Sequence, residues 1–280
     1  MLRRLAFASL LLVVLGVAGL LWTYGVATSA PLVRRTTVAL PGLESPLKVV
    51  LISDIHVGGP DMPPSRLAEI VEQINGLAPD VVLIAGDLVT DKRLATRYYS
   101  HDEAVAPLAS LRPRLETIAV IGNHDHWRDS DAAHRALARA GIRVLDNRAV
   151  QGGPLAVGGL DDDFTERADL KATLAALQKL KGPKLILSHS PDPFADLDAG
   201  ASLMLAGHTH CGQISPPRIG PLSTMSKYGR RYACGVVGER GNTLVVTAGL
   251  GTSGVPLRLG AVPDMWLVEL VPAVRPGGAR

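Results

Sequence analysis

Cysteine is nearly missing from this chain: there are two in 280 residues, Cys211 and Cys234. Two cysteines exclude a disulfide-dense small scaffold and a cysteine-built metal cage. They leave two readings open, a single bridge in an oxidising compartment or two free thiols. Charge is missing from one long stretch, since residues 5–33 contain no Asp, Glu, Lys or Arg. Internal repeats are also absent, which excludes a solenoid or propeller. The formal net charge is +3, but residues 1–35 hold Arg3, Arg4, Arg34 and Arg35 and no acid. The remainder carries 25 of the 29 basic residues against all 26 acidic ones. A nucleic-acid binder would be expected to spread its basic excess over the folded part. Here the excess flanks an apolar run, which fits a membrane.

That run, Leu5 to Ala27, is long enough as a helix to cross a hydrocarbon core of about 30 Å. Trp22 and Tyr24 stand near its end, where amphipathic aromatics favour the interface. It is too long for a typical signal-peptide core, and Pro31 follows the small-residue site at Ala30. The expectation is an uncleaved single-pass anchor over residues 1–35 and a tether over 36–47. A domain over 48–272 and a tail over 273–280 would follow. Arg3 and Arg4 favour a cytoplasmic amino terminus and an extracytoplasmic domain; Arg34 and Arg35 oppose this.

Beyond residue 47, strand-like and helix-like signals alternate. Apolar runs at 49–53, 81–85, 118–121, 155–157, 184–187, 203–206, 244–247 and 265–270 read as strands. Leu67, Ile70, Val71, Ile74 and Leu77 recur at helical spacing, and further helices are expected near 129–140 and 169–180. The alternation argues for an α/β domain. Five polar motifs each follow such an apolar run: Asp54-Ile55-His56, Gly86-Asp87, Gly122-Asn123-His124-Asp125, His189 between serines, and Gly207-His208-Thr209-His210. Ligand sites of open α/β sheets gather at the carboxyl ends of strands, so the fold would bring these motifs to one edge. In an extended segment, Asp54 and His56 would point the same way, as would His208 and His210. Five of the eight histidines lie in these motifs, and all the donors are nitrogen or oxygen. That donor set suits two divalent ions of Mn, Fe, Zn or Co.

The five motifs, in this order, resemble those of the calcineurin-like metallophosphoesterases, over about Lys48 to Leu270. Gly207-His-Thr-His-Cys-Gly-Gln-Ile214 and Gly249-Leu-Gly-Thr-Ser-Gly-Val-Pro-Leu-Arg258 look typical of a bacterial membrane-associated branch. That branch includes phosphodiesterases and lipid-linked UDP-diacylglucosamine hydrolases. The resemblance implies a four-layer α/β/β/α sandwich of two mixed sheets behind the transmembrane helix. It implies Asp54, His56 and His210 at one metal, Asn123, His189 and His208 at the other, and Asp87 bridging. His124 would act on the leaving group, and a metal-bridging hydroxide would attack a phosphodiester or pyrophosphate in line. The substrate would be a membrane lipid or cell-wall precursor, with no nucleic acid and no obligate protein partner. A phosphomonoesterase, a non-catalytic binding protein of the same fold and a cytoplasm-facing nucleotide hydrolase are the competing readings.

Many phosphatases of the family carry an aspartate three residues after the bridging one, to orient the catalytic histidine. Here that position is Thr90, followed by Asp91. Asp91, Asp125 and a backbone carbonyl are the candidate partners of His124. Arg258 is expected to contact substrate, because its loop resembles one near the family's active site. Asp161-Asp162-Asp163 reads as a solvated acidic turn, and Lys227, Arg230 and Arg231 as a solvated charge cluster. His126 and Trp127 read as either pocket lining or surface packing.

Overall fold

The computed structural model describes residues 2–92, 94–200 and 203–273. It opens with helix α1, Leu2–Ala27, whose apolar side chains stand free of the domain up to Trp22. Within Arg3–Ala27 an 18-residue stretch reaches a mean hydropathy of 2.5, and the helix has the length to span a bilayer.

Two six-stranded mixed sheets make the body. The first has β1 (Leu32–Leu40), β12 (Asp264–Pro272), β2 (Leu47–Ile52), β3 (Val81–Ala85), β4 (Glu116–Val120) and β5 (Arg143–Val144), in that spatial order. The second runs β10 (Gly235–Glu239), β11 (Asn242–Val246), β9 (Leu203–Ala206), β8 (Lys184–Leu187), β7 (Leu155–Gly159) and β6 (Arg148–Gly152). Strands β2 to β5 are parallel to one another, as are β7, β8, β9 and β11. The apolar runs are continuous because both faces of each sheet are covered. On β2, Val49 and Leu51 face the second sheet, meeting Leu185, Leu187, Leu203 and Leu205. Val50 and Ile52 face outward, to α2 (Pro64–Gly76) and α4 (Asn123–Arg139). On the far side, α5 (Leu170–Gln178) covers the second sheet. The short α3 (His101–Val105) packs beside α4. The architecture is the four-layer α/β/β/α sandwich.

One boundary differs from expectation. The first five residues of the supposed tether, 36–40, belong to strand β1, paired in parallel with β12 over Leu32–Leu40. Its alternation of exposed and more buried residues is that of an edge strand, with Arg35, Thr37 and Ala39 facing solvent. Arg34 pairs with the buried Asp264 at 2.5 Å, and Arg35 approaches Glu269. Both arginines therefore belong to the domain rather than to the membrane flank. The helix expected from Asp129 is present as the second part of α4. Asp129 is extended (φ −179°, ψ 94°) and caps it by accepting the Ala132 amide at 2.9 Å, while a separate helical segment from Asn123 precedes it. The expected tail lies, after Ala273, outside the described residues.

On α4, His134 donates to the backbone carbonyl of Ser130 and sits 2.8 Å from Asp146. The hydrogen bond to Asp146 is the main cause of a pKa raised to about 9. A histidine raised in the folded state stabilises it fully below its unfolded pKa of about 6.5. The contribution is lost as pH rises through about 9. The Tm difference between the wild-type protein and His134→Ala is expected to be largest near pH 6 and to vanish above pH 9. A difference independent of pH would refute the assignment.

Candidate metal centre

All five motifs emerge at carboxyl ends of neighbouring parallel strands. Asp54 and His56 follow β2, Asp87 follows β3, and Asn123 follows β4. From the second sheet, His189 follows β8, and His208 and His210 follow β9. The motifs are not extended, contrary to expectation. Asp54 (φ 50°), His56 (φ 48°), Asp87 (φ 57°), His208 (φ 68°) and His210 (φ 49°) all take left-handed backbone. Each such residue costs roughly 1–3 kcal/mol, and this strain concentrates at functional sites. Packing imposes it: the amides of Asp54 and His56 donate to the carbonyls of Gly86 and Asp87, both at 3.0 Å. Gly122 has no alternative residue, because a β-carbon there would collide with the Asp87 carboxylate.

The side chains converge on one buried cluster. Within it Asp54, His56 and His210 offer atoms within 4.8 Å of one another, as do Asp54, Asp87 and His189. His56 Nε2 and His210 Nε2 lie 3.1 Å apart. With metal–nitrogen bonds of about 2.0–2.1 Å, that separation suits two adjacent ligands of one ion. Asp54 Oδ2 accepts the His208 amide, whereas Oδ1 is buried with no hydrogen-bond partner and faces His210 Nε2 at 3.4 Å. A buried, orphaned carboxylate oxygen beside imidazole nitrogens fits a cation. Asp87 Oδ1 accepts the His124 amide, and Oδ2 stands 3.5 Å from His56 Nε2 and 3.2 Å from His189 Nε2. It therefore lies between two groups. The second comprises His189 Nε2, Asn123 Oδ1 and His208 Nδ1, with both partners 3.1 Å from His189 Nε2. His189 Nδ1 donates to the Ala85 carbonyl at 2.6 Å and His208 Nε2 to that of Met225 at 3.3 Å. These outer bonds leave His189 Nε2 and His208 Nδ1 facing inward, where they could bind a metal.

Electrostatics agree with ligation. Burial drives His56 and His210 well below the usual histidine range, and burial with His189 takes His208 to about 3. These imidazoles are neutral with lone pairs free, as ligands must be. Burial opposes charge on Asp87, but His189, His124 and His56 outweigh it and hold the carboxylate ionised. Burial also disfavours charge on His189, and Asp87 and Asp54 reverse this. The positive charge favoured there is one that a bound cation would supply.

The family of calcineurin-like phosphoesterases matches residues 47–212, more than half of the chain. The chain belongs to that family. Relatives of this chain include an uncharacterized metallophosphoesterase of Helicobacter pylori (strain J99), 30% identical over 249 residues, covering 86% of this chain and 64% of that protein. This chain thus spans less than two thirds of the length of the Helicobacter protein. Another relative is the metallophosphoesterase YkuE of Bacillus subtilis, 30% identical over 231 residues, covering 80% and 78% of the two chains. A third is the phosphodiesterase YaeI of Escherichia coli, 29% identical over 250 residues, covering 86% and 88%.

Beside the cluster, the partner of His124 is Asp91. His124 Nδ1 meets Asp91 Oδ1 at 2.6 Å. Asp125 is committed elsewhere, accepting the amides of Asp87, Leu88 and Gly122. His124 Nε2 lies 4.0 Å from Asp87 Oδ2 and 3.4 Å from Ser253 Oγ. Burial lowers the His124 pKa, and the Asp87 and Asp91 carboxylates raise it by more. Distance alone also groups His124 with His56 and Asp87.

Sequence reasoning missed the support behind this histidine. Lys92, buried, donates to Asp61 Oδ1 at 2.5 Å and to Thr252 Oγ1 at 2.9 Å, and Thr252 donates to Asp61 Oδ2 at 2.6 Å. Lys92 follows Asp91 and Thr252 precedes Ser253, so one buried ionic cluster pins both neighbours of His124. No pattern in the sequence signals that pairing.

Arg258 requires correction. It is fully buried, and its guanidinium donates to the carbonyls of Ala248, Gly249, Gly251 and Ala261. Its donors bind the loop behind the metal cluster rather than facing a substrate. The acidic turn is not solvated either: Asp161 binds His126 at 2.7 Å, and Asp162 is buried, accepting the Thr165 amide. The turn thereby places Phe164, which sequence reasoning missed, 4.7 Å from the His208 ring. Trp127 stands 4.8 Å from the His124 ring and 6.1 Å from Phe164. Two half-exposed aromatics thus rim the cluster. Cys211 and Cys234 are bonded to each other.

Proposed function

We propose that this chain hydrolyses a phosphodiester or pyrophosphate bond of a cell-envelope substrate, outside the cytoplasm. The fold and the clustered ligands support a metal-dependent phosphoesterase site. The observation that carries the reading is His124, fixed by Asp91 at the edge of a cluster that Asp87 divides into two ligand groups. Asp54, His56 and His210 would hold one ion and Asn123, His189 and His208 the other, each of Mn, Fe, Zn or Co. Two such ions would neutralise phosphoryl charge and lower the pKa of water at the site.

The residues supply the rest. A water gives up a proton to solvent as its oxygen bonds to phosphorus. The phosphorus–oxygen bond to the leaving group breaks, His124 Nε2 gives the leaving-group oxygen a proton, and solvent reprotonates His124. Asp91 keeps the ring aimed by accepting from Nδ1. Trp127 and Phe164 offer the second ester group an apolar rim, which favours a diester over a monoester, and the Escherichia coli relative is named a phosphodiesterase. The bond between Cys211 and Cys234 supports an oxidising compartment. With Arg34 and Arg35 assigned to the domain, Arg3 and Arg4 favour a cytoplasmic amino terminus.

With Mn, the purified protein is expected to turn over bis-p-nitrophenyl phosphate faster than p-nitrophenyl phosphate. Turnover of neither would overturn the enzyme reading, and a preference for the monoester would overturn the diester reading. Asp91→Asn is expected to retain both ions and lose roughly 10–100-fold in turnover, the usual scale for an outer hydrogen-bond partner. Unchanged turnover would remove Asp91 from the machinery.

A further inference from the structure

The bridge between Cys211 and Cys234 closes a loop immediately after the metal-cluster residue His210. Outside α1, Leu222 (66% exposed) and Ile219 (60%) are among the most exposed large apolar side chains described, and Met225 (54%) follows on the same loop. A folded domain gains nothing by presenting such side chains to water, and contiguous apolar exposure marks an interaction surface. The loop is held rather than free. Gln213 Nε2 donates to the carbonyls of Ser253 and Val255, the Ser215 amide donates to Leu259, and the Leu222 amide donates to Ile214. Arg230 donates to the Ile219 carbonyl and braces the tip. Val255, itself exposed, joins the same apolar face, and a cavity of about 370 Å³ opens between the two loops beside His210.

The second observation says what covers this face. The Arg258 amide donates to the Thr23 carbonyl of α1 at 3.1 Å, and Tyr24 Oη donates to the Pro60 carbonyl at 3.1 Å. Helix side chains are free up to Trp22 and touch the domain from Thr23 onward. The level at which α1 leaves the hydrocarbon is therefore the level of the loop ending at Arg258. Five residues before Arg258 stands Ser253, in contact with His124, and five residues span at most about 18 Å. The metal cluster, the apolar loop and the membrane exit of the anchor thus lie along one stretch of chain.

We propose that the loop closed by Cys211 and Cys234, with Val255, is a membrane-seating element. It inserts Ile219, Leu222 and Met225 into the leaflet that α1 leaves and turns the mouth of the metal cluster toward the headgroup layer. The occupant of the face is the bilayer itself. The anchor puts bilayer within reach of these side chains, and exposed Arg218 at the loop tip complements anionic headgroups. Phosphoesters in the headgroup layer reach such a mouth without leaving the membrane.

The test needs no catalysis, so its outcome is separate from the proposed hydrolase activity. Full-length Leu222→Cys, with the native pair left oxidised, is labelled with an environment-sensitive fluorophore and reconstituted in nanodiscs of phosphatidylglycerol and phosphatidylcholine. Glu44→Cys is the control, because Glu44 is exposed near the amino end of β2, away from the cluster. Lipid-borne spin labels are expected to quench the probe at 222 at least several-fold more than the probe at 44, and Ile219→Cys should match it. Should Leu222→Cys fold poorly, Ile219→Cys or Met225→Cys carries the same reading. Equal quenching at 222, 219 and 44, with aqueous quenchers reaching all three alike, would overturn the proposal.

Discussion

Asp87→Asn is expected to purify as a folded protein that no longer keeps two metal ions. The substitution preserves shape, and an amide oxygen can still accept the His124 N–H that Oδ1 accepts now. What it removes is charge. Only two carboxylates, Asp54 and Asp87, stand among the seven proposed ligands, against the four positive charges of two divalent ions. The amide would halve that compensation in a buried site, where an uncompensated charge is costly. Asp87 Oδ2 also faces both ligand groups, so both lose it. Metal affinity is expected to fall by at least about 10–100-fold, and turnover with it. Elemental analysis after dialysis reads the result directly. Full occupancy in the variant would remove Asp87 from the bridging position.

His124→Ala is expected to behave in the opposite way, keeping both ions and losing turnover by about 10²-fold or more, the scale for a general acid or charge-stabilising donor. The contrast rests on Nδ1 being bound to Asp91 and on Nε2 lying at the rim of the cluster. A proton donor matters most when the leaving group is a poor one. The loss should therefore be smaller for a p-nitrophenolate leaving group than for an alkyl alcohol. Metal content that falls together with activity would instead make His124 a ligand, which its distance to Asp87 and His56 permits.

How far the sequence told this story depends on the physics of each element. Strands buried on both faces write themselves as apolar runs, and β3, β8 and β9 lie where those runs do. The proposed ligands were legible because each follows such a run, and strand ends converge whatever the loops do. Their conformation was not legible. Asp-x-His suggests an extended pair, yet both residues take left-handed backbone, imposed by hydrogen bonds to residues 86 and 87, distant in the chain. Strand β1 was hidden because an edge strand with one face in water lacks a continuous apolar run, and Arg34-Arg35-Thr36-Thr37 interrupts this one. Arg258 read as a substrate contact because a loop resemblance places a residue but not its rotamer. Four backbone carbonyls claim its guanidinium. The Lys92–Asp61–Thr252 cluster joins three segments across more than 190 residues, and such pairings leave no local trace.

The central claim is a two-ion site divided by Asp87. Anomalous scattering from crystals of the protein loaded with Mn, recorded at the manganese edge, tests it most directly. Two peaks are predicted, about 3.5–4 Å apart, one beside Asp54, His56 and His210 and the other beside Asn123, His189 and His208, with Asp87 between them. A single peak, or peaks away from Asp87, would contradict it.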